Sequence, residues 1–261
     1  MTTKIIAPLR IGLFGGGADK DSKGKVINLA INLYQTVSES NTNFTPLWDN
    51  KKFIKHFTNK NITHKCDVPI ESGLGSSGAL AVLLTKLEKP HFSNFKLAKE
   101  AYKKELEFHP TGWQDHYAAV FGGLSSYEED YVVTYPSDTA NWLASHILLF
   151  YIGKTKKYSI EIKSINSEIV KACKAIENMN LIEIASLLAK GWEKKRKLIN
   201  NKKIDNIYKR AIQSGALAGK LCGAGGGFMF FIVPLNKKAK VIKELSDCKR
   251  YDFKVDFIGI Q

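Results

Sequence analysis

Ser72 to Leu84 reads SGLGSSGALAVLL, a turn rich in glycine and serine that runs without a break into an apolar segment of helical composition, Ala79 to Leu87. Such a turn cannot build a core. A glycine-rich turn that opens a helix leaves backbone N–H groups free, lets the backbone approach a ligand closely, and aims the positive end of the helix dipole at it. The serine hydroxyls add donors or metal ligands. The stretch therefore reads as a phosphate-binding turn. The alternative is a flexible turn ahead of a core helix, and the rest of the chain has to decide between them.

Upstream, Ile62 to Val68 alternates weakly as a strand, which gives the order strand, glycine-rich turn, helix. Gly73-Leu74-Gly75-Ser76-Ser77-Gly78 also fits GxGxxG, the dinucleotide fingerprint. Against that rival, Asp67 to Ser72 is not the strongly apolar strand the fingerprint requires. The place of the acid about 20 residues on is taken by a lysine-rich helical segment, Lys96 to Phe108. No GxxxxGK[ST] occurs, so a Walker A loop is excluded. Downstream lies His109-Pro110-Thr111-Gly112-Trp113-Gln114-Asp115-His116, and then an apolar stretch to Phe121 and the pair Gly122-Gly123. Asp115 is placed either as a helix N-cap or as a general base held in a turn.

Toward the N-terminus, Lys4 to Phe14 is a β-type run with one charge, Arg10, inside it. A charge inside an apolar strand is rare unless it is paired or functional. Gly15-Gly16-Gly17-Ala18-Asp19 breaks the strand, and Arg10 and Asp19 flanking that turn suit either a plain tight turn or a polar pocket. Val26 to Val37 is a second strand, and residues 38 to 60 a polar connection with a short helix at Lys51 to Phe57.

In the second half, Ser125 to Tyr135 reads as strands or a hairpin and Pro136 to Ala140 as a boundary. Ile147 to Ile152 is a buried strand ending in a basic turn, Gly153 to Lys157. Helical patterns follow at Ile165 to Ile176, Ile182 to Leu198 and Ile204 to Ala218. Gly223-Ala224-Gly225-Gly226-Gly227 then leads into the apolar strand Phe228 to Val233. So many glycines cost conformational entropy on folding, which implies a close backbone approach to a ligand or helix. A helix at Lys237 to Leu245 and a strand at Tyr251 to Ile258 close the chain.

At 261 residues the chain allows two domains or one large α/β unit, and its 44% hydrophobic and 25% charged residues exclude disorder. The net charge of +14 is carried by lysines interleaved with apolar residues, read mostly as solvated faces, with the remainder suited to anionic substrates. Cys66, Cys173, Cys222 and Cys248 make no CxxC pair and no zinc spacing with histidines. A reduced, cytoplasmic protein is expected. No signal core and no run of 18 apolar residues is found, and neither a membrane nor a nucleic acid is expected as a partner.

Three glycine-rich stretches in this order, with an aspartate-centred turn between the second and third, resemble the GHMP kinase superfamily. The match rests on Pro8-Leu9-Arg10 with Gly15 to Asp19, on Gly73 to Ser77, and on Gly223 to Gly227. The run from Gly112 to Gly123, Leu148 to Lys157 and Gly191 to Arg196 are similar to the sugar-1-kinase branch that holds heptose 7-phosphate kinases, with fucokinases as relatives. The resemblance implies a two-domain α+β fold, with a ribosomal S5 domain 2-like unit over residues 1–140 and a ferredoxin-like unit over 141–261. It implies ATP and Mg²⁺, with Gly73, Leu74, Gly75, Ser76 and Ser77 around the nucleotide phosphates and Ser77 on the metal. Asp115 would be the base and Arg10 its cation. Gly16, Gly17, Asp19, Gln114, Gly225 and Gly226 would hold the sugar, and Lys156 and Arg196 the phosphate it carries. Glu105 is the expected second metal ligand, because Lys103 stands where a glutamate is usual. Gly78 replaces the usual third serine, Ala18 a threonine and His116 a glutamine. A homodimer is compatible with this reading. The implied reaction is phosphorylation of a sugar phosphate, a heptose 7-phosphate, at its anomeric hydroxyl. A fucose-like or other small-alcohol kinase, a nicotinamide oxidoreductase and a noncatalytic basic binding protein are the alternatives.

Overall fold

The computed structural model describes residues 4–16, 24–40, 51–128, 130–154, 166–223 and 225–261. β1 (Lys4–Phe14) and β2 (Val26–Glu39) form a long antiparallel pair. The far half of β2 also pairs with β3 (Ile62–Cys66) and its near half with β4 (Leu124–Glu128), which carries β5 (Tyr131–Thr134) at the edge. Between these strands the chain makes α1 (Lys51–Phe57), α2 (Ser76–Glu88), α3 (Asn94–Phe108) and α4 (Gln114–Phe121).

Helix α2 is apolar on every side, and its residues Gly78 to Thr85 are all buried. A helix with no polar face belongs inside a protein rather than on its surface. It packs against β1, α3 and α4, so the glycine turn at its start is held from three directions. Helix α3 is amphipathic instead, with Leu97, Ala98, Ala101 and Glu105 on the buried stripe at helical spacing.

The second sheet has the order β7 (Ala218–Leu221), β8 (Phe228–Ile232), β6 (Ile147–Tyr151), β9 (Lys249–Tyr251), all antiparallel. The unbroken apolar runs of β6 and β8 follow from burial of both faces. Ile147, Leu149, Phe228 and Phe230 join the core shared with the first sheet, while Leu148, Phe150, Met229 and Phe231 form a second core. Helices α6 (Asn166–Glu177) and α7 (Leu181–Ile199) supply most of the first cover, and α8 (Lys202–Gln213) and α9 (Lys238–Glu244) supply the second. Asn201 caps α8 by accepting from Lys203 N at 3.0 Å and Ile204 N at 3.2 Å.

Three expected elements change. The boundary at Pro136 to Ala140 is the start of helix α5 (Ser137–Ser145), which follows Pro136 directly. The helix expected to reach Ala218 stops at Gln213, because Gly215 takes φ +110° and the chain turns into β7. The final strand ends at Tyr251, after which the tail leaves the second sheet for the first. Asn32 N donates to Lys254 O and Asp256 N to Ala30 O, while Ile6 and Gln261 exchange a pair of bonds, each 3.0 Å. Among the described residues no helix is long and apolar enough to cross a membrane.

Asp256 anchors this returning tail. Buried at 4% exposure, its carboxylate accepts from Tyr34 Oη at 2.8 Å, Gly259 N at 2.8 Å and Ile258 N at 3.1 Å. Burial, then the bond to Asp256, pushes the Tyr34 phenol up to about 12. Asp256→Ala leaves buried donors unpaired and is expected to cost about 2–3 kcal/mol. The check is urea unfolding, with a lower midpoint at an unchanged m-value.

Candidate active site

The site begins with the charge that stands out in the first strand. Arg10 is 5% exposed, and its guanidinium spans two elements. Nε and Nη2 both reach Asp115 Oδ1, at 2.8 and 2.6 Å, and Nη1 donates to Gly73 O at 2.7 Å. The Arg10 backbone N–H donates to Leu74 O at 3.0 Å. Leu74 is itself fully buried, so the turn is tied to β1 by main chain, side chain and core packing together.

Asp115 lies in the first turn of α4, one residue inside the helix, with Trp113 at the N-cap position. A carboxylate is favoured there by the helix dipole. Both Arg10 contacts fall on Oδ1, which leaves Oδ2 without a partner among the described residues. The Asp115 side chain keeps 18% exposure against 6% for that of Arg10, so the carboxylate is the more accessible partner of the pair.

Helix α2 comes within contact distance of Asp115 because position 78 has no side chain. A Cβ on Gly78 would stand 2.5 Å from Asp115 Cβ and 3.2 Å from His116 N. A serine at position 78 would push the two helices apart. Gly75, in the left-handed region at φ 78°, turns the chain into α2. Ser76 Oγ accepts from Glu71 N at 3.2 Å and is used up within the turn, whereas Ser77 keeps exposed surface on the first helical turn.

A buried polar chain supports this turn from beneath. Gln35 Nε2 donates to Ser76 O, and Gln35 Oε1 meets His64 Nε2 at 2.5 Å. Since the amide nitrogen faces a carbonyl, Oε1 must accept, which places the proton of His64 on Nε2. Burial holds His64 down at about 4, so the ring is neutral.

The third glycine stretch packs on the second, backbone against backbone. At Gly226, φ +117°, a Cβ would fall 2.1 Å from Glu71 O and 2.9 Å from Gly73 N, and at Gly223 it would fall 3.1 Å from Gly73 Cα. Phe228 N donates to Ser72 O at 3.3 Å, continuing the seam. The close approach expected for these glycines is thus to the backbone of the second glycine stretch. Gly225 and Gly226 are buried in that seam, and Gly16 is an exposed turn residue at the end of β1. Asn28 Nδ2 donates to Gln114 O at 3.5 Å, linking β2 to the start of α4. Gly17, Asp19 and Lys156 lie outside the described residues.

Two expected residues have other partners. Arg196 lies 3.2 Å from Glu193 and 3.6 Å from Asp205, with its guanidinium over the Tyr208 ring, so its charge is used within the second unit. Its neighbour Lys195 faces the glycine seam instead and donates to Gly223 O at 2.5 Å. Successive helical residues point about 100° apart, so a one-residue error exchanges the faces. Glu105, expected on a metal, is fully buried between His116, 2.6 Å from Oε2, and His109, 3.1 Å from Oε1. Neither oxygen is left for a cation. Burial alone would raise its pKa, but the two imidazoles outweigh it and hold the carboxyl at about 2.

This arrangement can seat a phosphate at the start of α2 and a hydroxyl at Asp115 Oδ2, side by side. The chain matches the model of the GHMP kinases N terminal domain over residues 46–123 and that of the GHMP kinases C terminal over 171–250. It belongs to the GHMP kinase family. This GHMP kinase is 30% identical to D-glycero-alpha-D-manno-heptose 7-phosphate kinase of Campylobacter jejuni, with 100% of this chain and 98% of that protein covered. Among solved structures it is similar to a D-glycero-D-manno-heptose 1-phosphate kinase from Bacteroides thetaiotaomicron, with TM-score 0.77, 25% identity, and 100% and 98% of the two chains covered. The fold is also that of Methanococcus jannaschii mevalonate kinase, with TM-score 0.75 at 20% identity and 98% and 99% coverage. The enzyme is a sugar kinase that transfers phosphate to an alcohol.

Sequence reasoning missed Lys195, Lys220 and the Gln35–His64 pair. Lys220 interrupts the run Ala216 to Cys222, which is the kind of signal that singled out Arg10. For Gln35 and His64, only the partners across β2 and β3 reveal a role.

The Glu105 cluster has a defined pH signature. A carboxyl held at about 2 in the folded state, against 4.5 ordinarily, stabilises the fold fully above pH 4.5 and loses that contribution as pH falls toward 2. The loss is on the order of 3 kcal/mol. Unfolding free energies of wild type and Glu105→Gln are expected to differ most near neutral pH and to converge between pH 4.5 and 2.

Proposed function

We propose that this kinase transfers the γ-phosphoryl group of ATP to the anomeric hydroxyl of a sugar phosphate, a heptose 7-phosphate. The observation that carries the reading is the open Oδ2 of Asp115, held by Arg10 beside the glycine turn. The 30% identity to a heptose 7-phosphate kinase over the whole chain supports the choice of acceptor.

In this reading the free backbone N–H groups at the start of α2 receive the nucleotide phosphates. The acceptor hydroxyl donates to Asp115 Oδ2, which orients it toward the γ-phosphate and takes its proton as the new P–O bond forms and the bond to ADP breaks. Arg10 keeps the carboxylate in place and offsets the charge that builds up on the transferring group. With the division taken at 140/141, this machinery belongs to the first unit, and the third glycine stretch of the second unit packs on the turn.

The donor set bears on how Mg²⁺ enters. Ser77 offers a hydroxyl, Glu105 is enclosed by histidines, and among the described residues no group of three or more His, Cys, Asp or Glu is gathered to hold a metal. These residues do not build a cage of their own. They fit a cation brought with the nucleotide phosphates, to which Ser77 would add one hydroxyl ligand, and such a cation would neutralise phosphate charge.

The test is ADP release from Mg·ATP with free sugars and sugar 6- and 7-phosphates as acceptors. Turnover is expected with a heptose 7-phosphate. Asp115→Ala is expected to lower kcat by about 10²–10⁴-fold. A fall of less than tenfold would remove Asp115 from the chemistry. Turnover of unphosphorylated sugars alone would assign the enzyme to the fucose-like kinases.

A further inference from the structure

Two lysines near Arg10 have no acidic partner among the described residues. Lys195, near the end of α7, donates to Gly223 O at 2.5 Å, and Lys220, in the middle of β7, donates to Leu13 O at 3.0 Å. Among the described residues no carboxylate lies within ion-pair distance of either Nζ, in a chain whose other part-buried arginines, Arg10, Arg196 and Arg210, all have one. An ammonium has three N–H donors, and one carbonyl satisfies one of them. Cys222, buried beside them, supplies no counter-charge, because burial pushes its thiol up to about 11.

The two cations also repel each other and Arg10. Burial, and then Arg10, lowers the Lys195 ammonium. Burial, then Lys195, and after it Arg10, brings Lys220 down to about 7. Gathering like charges in a partly desolvated place is unfavourable unless an anion joins them. Their anchors say where such an anion would sit. Leu13 leads into the first glycine turn, and Gly223 belongs to the seam against Gly73, whose carbonyl holds Arg10. The cluster therefore adjoins the end of β1 and the seam that carries Gly73.

We propose that Lys195 and Lys220 form the subsite for the phosphate that the acceptor sugar already carries, with Arg10 between that subsite and the reacting hydroxyl. The inference rests on the reading of this enzyme as a kinase of a sugar phosphate. A bound phosphate, with a charge of about −1.5 to −2, gives each ammonium a charge-assisted hydrogen bond and restores the full charge of Lys220. It also supplies the role that Arg196, committed to Glu193 and Asp205, does not fill.

The test uses the full chain with Lys195→Met and Lys220→Met, which keep the apolar stem and remove the charge. In each variant, KM for the heptose 7-phosphate is expected to rise at least tenfold and KM for ATP to change less than twofold. Lys195→Arg should recover part of the acceptor affinity. A rise in KM for ATP with the acceptor KM unchanged would overturn the proposal and assign the lysines to the nucleotide. Should neither variant fold, inorganic phosphate as an inhibitor of the wild type decides. Competition against the sugar phosphate supports the subsite, and competition against ATP alone overturns it. If no sugar phosphate is turned over, the kinase reading fails separately. Calorimetric titration of the Mg·ADP-saturated protein with inorganic phosphate then tests the subsite by itself. Phosphate binding that vanishes in the double variant supports it, and absence of binding to the wild type overturns it.

Discussion

Arg10 holds together parts of the chain that have no other reason to meet. Its guanidinium joins β1 to a carboxylate on α4, 105 positions away, and to a carbonyl of the glycine turn, while its main chain holds the next residue of that turn. A guanidinium suits this task because its donors lie in a fixed planar fork, so satisfying all of them sets the relative position of every acceptor. Burying such an ion pair is costly, and losing either partner would leave a desolvated charge behind. What the pair contributes is therefore geometry more than stability: one oxygen of Asp115 is fixed and the other is left open.

The glycines serve the same end by removing volume. Gly78 lets α2 approach Asp115, and Gly223 and Gly226 let the second unit lie directly on the backbone of the phosphate turn. The turn is thus clamped between β1 below, α4 at the side and the seam above, while the Gln35–His64 pair holds the first carbonyl of α2. A phosphate-binding turn built from glycine would otherwise sample many conformations, and pre-ordering it spares that entropy when ligand binds.

The electrostatics divide the site into balanced and unbalanced parts. Arg10 with Asp115 is compensated inside the protein, and Glu105 lies against two imidazoles. Among the described residues, Lys195 and Lys220 have carbonyl oxygens and no carboxylate as partners. In the proposed reading both substrates are anions, and such an excess favours their binding. The net charge of +14 reads from composition as solvated faces with some capacity for anionic ligands, and in the fold it includes a pair of part-buried ammonium groups near Arg10.

The amino-acid sequence by itself determined the local elements whose signals are short-range. These are the strand around Arg10, the glycine turn running into an all-apolar helix, the buried strands Ile147–Tyr151 and Phe228–Ile232, and the order of three glycine stretches that marks the family. Periodicity and turn chemistry act over a few residues, so they are legible along the chain. Only the tertiary structure decided which charged side chains face the site. Arg196 and Lys195 are adjacent in sequence, yet one turns to Glu193 and Asp205 and the other to the glycine seam. Glu105 had the right chemistry for a metal, and two histidines, one of them on a different helix, took both of its oxygens. The tail after Tyr251 had strand-like composition, and its backbone partners proved to be in or beside the first sheet, all but Gly123 more than 200 positions earlier in the chain. In each case the outcome depends on which distant groups are brought within a hydrogen bond's length, and that is a property of packing that no local pattern encodes.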